Sequence, residues 1–269
     1  MAFIGEVRGR DFDSRLFNTP AILGEDNPDT CFELFLLLRV HLQRLNPPGG
    51  APQFVVRDAN GTQHRCVRWP DAEWAIFAGR YENQVNSFWD ASFKLITPAS
   101  YRGLDWPGSG PDRHRRDVAC RFRLLLQPSP RNAHVIPVVR VASETAFSRS
   151  HAALYSNHDR NLDTSHSTNG RLDWHFFTTV HEVGHLLGLG HASENSRQCR
   201  ENPNSSICYG ATLEQQLDVM GMGSVLTLSD AEPWRRRIAQ HTRTRPEQWE
   251  MTWLSTQAAF HGAEHRRLR

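Results

Sequence analysis

The chain has 269 residues, 39% of them hydrophobic and 10% aromatic, enough to bury a core as one domain or as one domain with an appendage. Its net charge is +2, too small a field to draw it to nucleic acid or to an acidic membrane. The most apolar run, residues 32–40, is far short of a bilayer crossing, and residues 1–14 carry charges without an apolar stretch. The expectation is therefore no membrane insertion and no Sec-type signal, with a cytoplasmic location or export by a signal-independent route.

Taken in chain order, Phe32, Leu34, Leu36, Leu38, Val40 and Leu42 share one parity, the period-2 signature of a strand with one buried face. Residues 53–57 and 62–69 flank Asp58-Ala59-Asn60-Gly61 and predict a hairpin. Behind Asp71, a good N-cap, Trp74, Phe77, Tyr81, Val85 and Phe88 recur at helical spacing. They predict a helix of about twenty residues. Residues 93–96, 118–126 and 134–141 read as further strands, and 103–112, dense in glycine and proline, as a loop.

From 143 to 170 the chain turns polar and is expected to form a long surface loop. Asp173 is expected to cap a helix through Trp174, Phe177, Val180 and Leu187, ended by Gly188 and Gly190. A second polar stretch, 192–209, leads to a Gly- and Met-rich turn. Ser229-Asp230-Ala231-Glu232 then reads as a capping box opening a last helix through Trp234 and Ile238. Strands, a helix, more strands and two helices separated by a loop make the class α+β. Residues 1–68 form a β-rich N-terminal region set apart from 69–269.

Of the five cysteines, Cys199 and Cys208 flank the polar segment 200–207 and could staple it in an oxidising compartment. Cys31, Cys66 and Cys120 read as small buried hydrophobes. Lys94 is the only lysine among 31 basic residues. An arginine-favouring genome produces that pattern; so does avoidance of lysine modification in a toxin or effector that enters a host cell. Arg235, Arg236 and Arg237, and the basic tail 265–269, read as solvated faces.

The chemistry concentrates in His181-Glu182-Val183-Gly184-His185-Leu186-Leu187-Gly188-Leu189-Gly190-His191. On a helix His181 and His185 stand at i and i+4, so both imidazoles project from one face and can share a cation. Gly188 gives the freedom to leave helical geometry sharply, and the chain can return His191 as a third nitrogen ligand. Three protein ligands leave a fourth position for water, as in catalytic rather than structural zinc sites. Three neutral imidazoles preserve the ion's charge, which lowers the pKa of bound water from about 15.7 towards 7. Glu182 cannot join that three-nitrogen face; its place is beside the zinc-bound water, as the base that takes its proton and passes it to the leaving amine. An ordinary amphipathic helix accounts for Val180, Val183, Leu186 and Leu187 but not for three histidines and a glutamate in this register.

This segment resembles the metzincin zinc endopeptidases, whose pattern is H-E-x-x-H-x-x-G-x-x-H followed by a methionine-containing turn. Asp218-Val219-Met220-Gly221-Met222-Gly223 is similar to that Met-turn, with Met220 as the apolar floor beneath the metal and Met222 the alternative. The resemblance covers about 174–240 by motif and 71–142 only in the order of a helix and strands. It implies a mixed twisted sheet, a zinc-binding active-site helix and a smaller C-terminal subdomain. The upper subdomain would run to His191 and the lower over 192–269. Ser224, Val225, Leu226, Thr227 and Leu228 would wall the pocket for the side chain after the cleaved bond. Ala192, after the third histidine, matches no subfamily, and no tyrosine stands two positions after Met220, so a tyrosine ligand there is absent.

Weaker signals lie outside the motif. His151, His158, Asp159, Asp163 and His166 crowd one polar segment, read as solvated rather than as a second, structural metal site. Cys66 is read as structural rather than as a pro-segment thiol reaching the zinc, and His175 as a helix-surface residue. The functional expectation is a zinc-dependent endopeptidase acting on a peptide or protein. The alternatives are a zinc amidase acting on cell-wall or small peptides, and a catalytically silent binding module, against which the intact Glu182 argues. No inhibitor or immunity partner is assigned.

Overall fold

The computed structural model describes residues 2–18, 30–58, 61–104, 117–142, 154–160, 163–166, 173–202 and 205–254. His151, the tail 265–269, residues 59 and 60 of the hairpin turn and most of the loop at 103–112 lie outside them. In chain order the elements are strands β1 (Ala2–Val7), β2 (Asp13–Asn18), β3 (Thr30–Arg44), β4 (Gln53–Arg57) and β5 (Gln63–Val67), then helix α1 (Asp71–Trp89). Strands β6 (Phe93–Ile96), β7 (Asp117–Leu126), β8 (His134–Val141), β9 (Tyr155–Ser156), β10 (Asp163–His166) and β11 (Asp173–Phe176) follow. Helices α2 (Thr178–Leu186), α3 (Arg197–Glu201), α4 (Leu213–Leu217) and α5 (Glu232–Thr242), and strand β12 (Glu250–Trp253), complete the chain. The class is α+β with an open mixed sheet, consistent with a metzincin-like fold.

The chain packs as two compact units, with β3, α1 and β7 contributing residues to both. One comprises the described residues of Met1–Leu38, Phe88–Arg123 and Leu226–Arg269. In it β1, β2 and β3 form an antiparallel meander, and β6 pairs antiparallel with both β7 and β12. Helix α5 is anchored there by Trp234, whose Nε1 donates to the Arg121 carbonyl at 2.8 Å, and by the Arg237 guanidinium 4.4 Å above the Phe12 ring.

The other unit comprises the described residues of Arg39–Ser87 and Leu124–Val225, and it carries the whole histidine motif. Here β8 runs parallel to β3 and to β9 and antiparallel to β5, which pairs with β4, so the sheet is mixed. Along β3, which both units share, the alternation seen in the sequence places Leu34, Leu36 and Leu38 of the first unit and Val40 of this one at 0% exposure. The β4–β5 hairpin forms as expected, held by Asp58, whose Oδ1 accepts from Thr62 N at 2.9 Å and whose Oδ2 meets His64 Nε2 at 2.8 Å. Cys66 on β5 packs against Val139 and Val141, fully buried, and burial pushes its thiol up to about 11. It is a structural cysteine. On α1 the buried stripe is Phe77, Tyr81, Val85 and Trp89, four residues apart; the expected Phe88 is only half-buried.

Three sequence expectations are corrected. The polar region 143–170 is not all loop: Tyr155 and Ser156 are buried and extend the sheet by pairing with Val138 and Val139. The helix does not start at Asp173. Residues 173–176 pair with 163–166 as an antiparallel ribbon, so Trp174 and His175 lie on a strand and α2 begins at Thr178. Asp-Trp-His-Phe suits a strand as well as a first helical turn, and the facing strand decides. The last capping box sits two residues earlier, where the Asp230 carboxylate accepts from the Thr227 amide at 2.7 Å. No described helix is long and apolar enough to cross a membrane.

Candidate metal centre

Helix α2 buries Thr179, Val180, His181, Glu182, Val183 and Gly184. Its end is shaped by Gly188, at φ +81°, a conformation glycine adopts without steric cost. The Leu189 amide turns back to the Gly184 carbonyl at 3.0 Å, and the chain then delivers His191 to the side of α2 that carries His181 and His185. The ligand-capable atoms of the three histidines all lie within 4.8 Å of one another. His185 Nε2 stands 3.2 Å from His181 Nε2 and 3.1 Å from His191 Nε2.

Those short nitrogen–nitrogen distances carry the chemistry. His181 Nδ1 lies 2.6 Å from the Val219 carbonyl and His185 Nδ1 lies 2.9 Å from the Leu189 carbonyl. A carbonyl can only accept, so the neutral form of each ring has its proton on Nδ1 and offers an Nε2 lone pair. Two such lone pairs facing each other at close to 3 Å repel unless a cation lies between them. A tetrahedral ion with bonds of about 2.0–2.1 Å separates its nitrogens by roughly 3.3 Å, close to what the rings adopt. The residues fit zinc. Backbone carbonyls behind two of the imidazoles are the usual orienting partners of metal-binding histidines.

Burial, and next the neighbouring His185, lower the pKa of His181 to about 3, the Val219 carbonyl partly opposing. The same two causes lower His191 to about 4. Both rings therefore stay neutral well below pH 7, and no proton competes for their lone pairs. Glu182, the next residue on α2, is buried. Its charge reaches Tyr81 and Tyr155, phenols fully buried together with ring centres 5.8 Å apart, and adds to the upward pKa shift that burial gives them.

The proposed Met-turn is built around Asp218. Its Oδ1 accepts from the Met220 amide at 2.6 Å, and its carbonyl accepts from Gly221 at 2.8 Å and Gly223 at 3.1 Å. Met220 is 2% exposed, while Met222 is half-buried. The Met220 carbonyl accepts from Ala192 N at 3.0 Å, which ties the turn to the chain just past His191. Val225 folds back on the turn, its carbonyl accepting from Val219 at 2.8 Å and its amide donating to Leu217 at 2.9 Å. Ser224 and Val225 belong to the unit that holds the histidines; Leu226, Thr227 and Leu228 belong to the other.

Two features escaped the sequence reading in whole or part. The Cys199–Cys208 disulfide is formed, with Cα atoms 5.0 Å apart, closing the polar segment next to the site. Within it α3 is capped by Ser196, whose Oγ accepts from Cys199 N at 3.1 Å. Beside Cys208, Tyr209 places its ring centre 4.1 Å from that of His191 and 6.0 Å from that of His181. No sequence pattern marks Tyr209; its adjacency to a cysteine was the one available hint. In the polar segment that carries His158 and Asp159, the buried Asp159 carboxylate accepts from the Ser156 amide at 2.5 Å. Among the described residues the histidine triad is the one group of three or more such side chains gathered as a metal site.

No family model and no solved structure matches the chain. Among curated proteins, a disintegrin and metalloproteinase with thrombospondin motifs 5 from Bos taurus is 43% identical to it over 61 residues. That stretch is 22% of this chain and 24% of that protein, so the match spans about a quarter of the relative's length. Together with the triad, it supports a loose relationship to metalloproteases.

Proposed function

We propose that the chain is a zinc-dependent endopeptidase, with His181, His185 and His191 holding the ion and Glu182 as the catalytic base. The observation that carries this reading is the convergence of imidazole lone pairs to 3.1–3.2 Å, one residue away from a buried carboxylate. When bound, zinc supplies a Lewis acid that polarises the scissile carbonyl and acidifies the water beside it. Glu182 takes a proton from the attacking water and hands it to the departing amine. The three imidazoles hold their orientation while this happens. Met220 is the apolar floor of the site, and Ser224 and Val225 wall the pocket for the side chain after the cleaved bond.

Disulfides persist in oxidising compartments, so Cys199–Cys208 favours export over a cytoplasmic location. An effector or toxin role rests on the single lysine of the chain. The test is digestion of a peptide library read by mass spectrometry, with and without a chelator. Cleavage should require metal. Glu182→Ala should keep stoichiometric zinc and lose about 100-fold or more in hydrolysis, whereas His185→Ala should lose the metal too. A purified chain that carries no zinc, or wild-type hydrolysis by Glu182→Ala, defeats the proposal.

A further inference from the structure

We infer that Tyr209 is the positioning residue of the third histidine, and that the loop closed by the Cys199–Cys208 disulfide holds Tyr209 in place. The inference rests on the zinc reading above and concerns what sets the affinity of that site.

The three imidazoles are not supported alike. His181 and His185 each have Nδ1 fixed by a backbone carbonyl, Val219 at 2.6 Å and Leu189 at 2.9 Å. For His191 no such ring hydrogen bond exists among the described residues; its one polar ring neighbour is His185 Nε2. It is also the ligand placed outside α2, past the glycine that ends the helix. An imidazole in that position has two side-chain torsions to lose on binding an ion. Something must hold its plane. The Tyr209 ring does so, packed at 4.1 Å and tilted 39° to it, and it also lies 6.0 Å from the His181 ring at 24°. The third ligand is thus oriented by ring packing instead of by a carbonyl acceptor.

Tyr209 is in turn fixed from both sides. The preceding residue, Cys208, is bonded to Cys199, and its carbonyl accepts from Ser193 N at 2.9 Å, two residues beyond His191. On the other side the Tyr209 carbonyl lies against Gly221, 2.6 Å from where a β-carbon there would stand. The disulfide thus ties Cys208 to α3, and the Ser193 hydrogen bond joins the segment that carries Tyr209 to the one that carries His191.

The experiment is zinc affinity by competition with a chromophoric chelator, on the purified full chain, with cobalt absorption as the report of ligand geometry. Tyr209→Phe keeps the ring and should bind zinc closer to the wild type than to Tyr209→Ala. Tyr209→Ala should bind zinc about 10-fold or more weakly, the range seen when partners behind metal ligands are removed. It should also distort the cobalt spectrum while denaturant unfolding of the metal-free protein still shows a folded chain. Tyr209→Leu fills the volume without an aromatic face, and should be weakened likewise should the alanine variant not fold. Cys199→Ala with Cys208→Ala should weaken zinc as well, and combining it with Tyr209→Ala should add little, because both act on one ligand. Wild-type affinity in Tyr209→Ala or Tyr209→Leu overturns the inference and leaves the enzymatic reading standing. Equal weakening in Tyr209→Phe overturns the ring-packing argument, and full additivity overturns the link to the disulfide. A wild-type chain without zinc affinity removes the proposed function itself.

Discussion

Replacing Gly221 by alanine probes, with the smallest available change, the turn whose Val219 carbonyl holds His181. A β-carbon at this position would stand 2.1 Å from the Gln215 carbonyl oxygen and 2.6 Å from that of Tyr209. Ordinary carbon–oxygen contacts are about 3.3–3.6 Å, so roughly an ångström of movement is required. Neither oxygen is the end of a flexible side chain. Gln215 lies in α4, and Tyr209 follows the disulfide, so the turn has to yield. Forced overpacking costs about 1–3 kcal/mol. The displaced segment includes Val219, whose carbonyl holds His181 Nδ1 at 2.6 Å. Losing an orienting partner of that kind weakens metal binding by about 10–100-fold. Gly221→Ala should therefore lower the unfolding free energy of the metal-free protein, read by denaturant titration, and weaken zinc in a chelator competition. Wild-type values in both assays would refute the argument that this close approach sets the turn.

Gly188→Ala places a side chain at φ +81° and should cost about 1–2 kcal/mol of stability by chemical denaturation, since L-residues disfavour that region. Met220→Leu exchanges side chains of similar volume and should keep zinc affinity near wild type. Asp218→Ala, by contrast, strips the Met220 amide of its acceptor at 2.6 Å in a buried place; a loss of about 1–3 kcal/mol is expected, and equal behaviour of the two variants would count against a turn organised by Asp218. His241 is held below its usual pKa of 6.5, first by burial and then by the Arg237 charge, with Ser14 opposing. The unfolded chain then binds more protons than the folded one just below 6.5, so stability is present above that pH and falls as the solution is acidified. His241→Gln should flatten this fall between pH 8 and pH 5 in denaturant unfolding; an unchanged slope would show that His241 does not contribute to it.

How much of the fold was legible follows from where each element finds its partner. Strand β3 and the β4–β5 hairpin were readable because their patterns are local: parity in one, a turn between two alternating runs in the other. Helix α1 was readable for the same reason, although the stripe ends on Trp89 and not Phe88, a one-residue choice that spacing of three or four leaves open. Strand β9 was not readable. Tyr155 and Ser156 sit among polar residues, and they become a strand through hydrogen bonding to Val138 and Val139, which precede them by 17 positions. Strand β11 posed a harder problem, because Asp173 followed by aromatic residues satisfies the requirements of a helix start and of a strand equally. The helix that does form begins after an extended Phe177 with no side-chain cap at all, so the local signal pointed to the wrong residue.

At the candidate site the division is sharper. The three histidines and Glu182 belong to one eleven-residue pattern: helix geometry sets the spacing of His181 and His185, and the glycine after the helix lets His191 return to them, so their grouping is legible in the sequence. Their supports are backbone carbonyls at Leu189 and Val219, and every residue type presents a carbonyl. A sequence therefore carries no mark of which one will be used. What it can carry are the residues that bring the carbonyl into place: Gly188 for Leu189, and Asp218 with Gly221 and Gly223 for Val219. On this argument the informative part of the turn is its frame of one aspartate and two glycines rather than the methionine between them, whose requirement is only to be apolar and of the right volume. Tyr209 is the exception, a support whose side chain does matter. It was missed because nothing in its neighbourhood of the chain fixes a distance to His191; the disulfide and the hydrogen bonds from Ser193 and Ala192 do that in three dimensions.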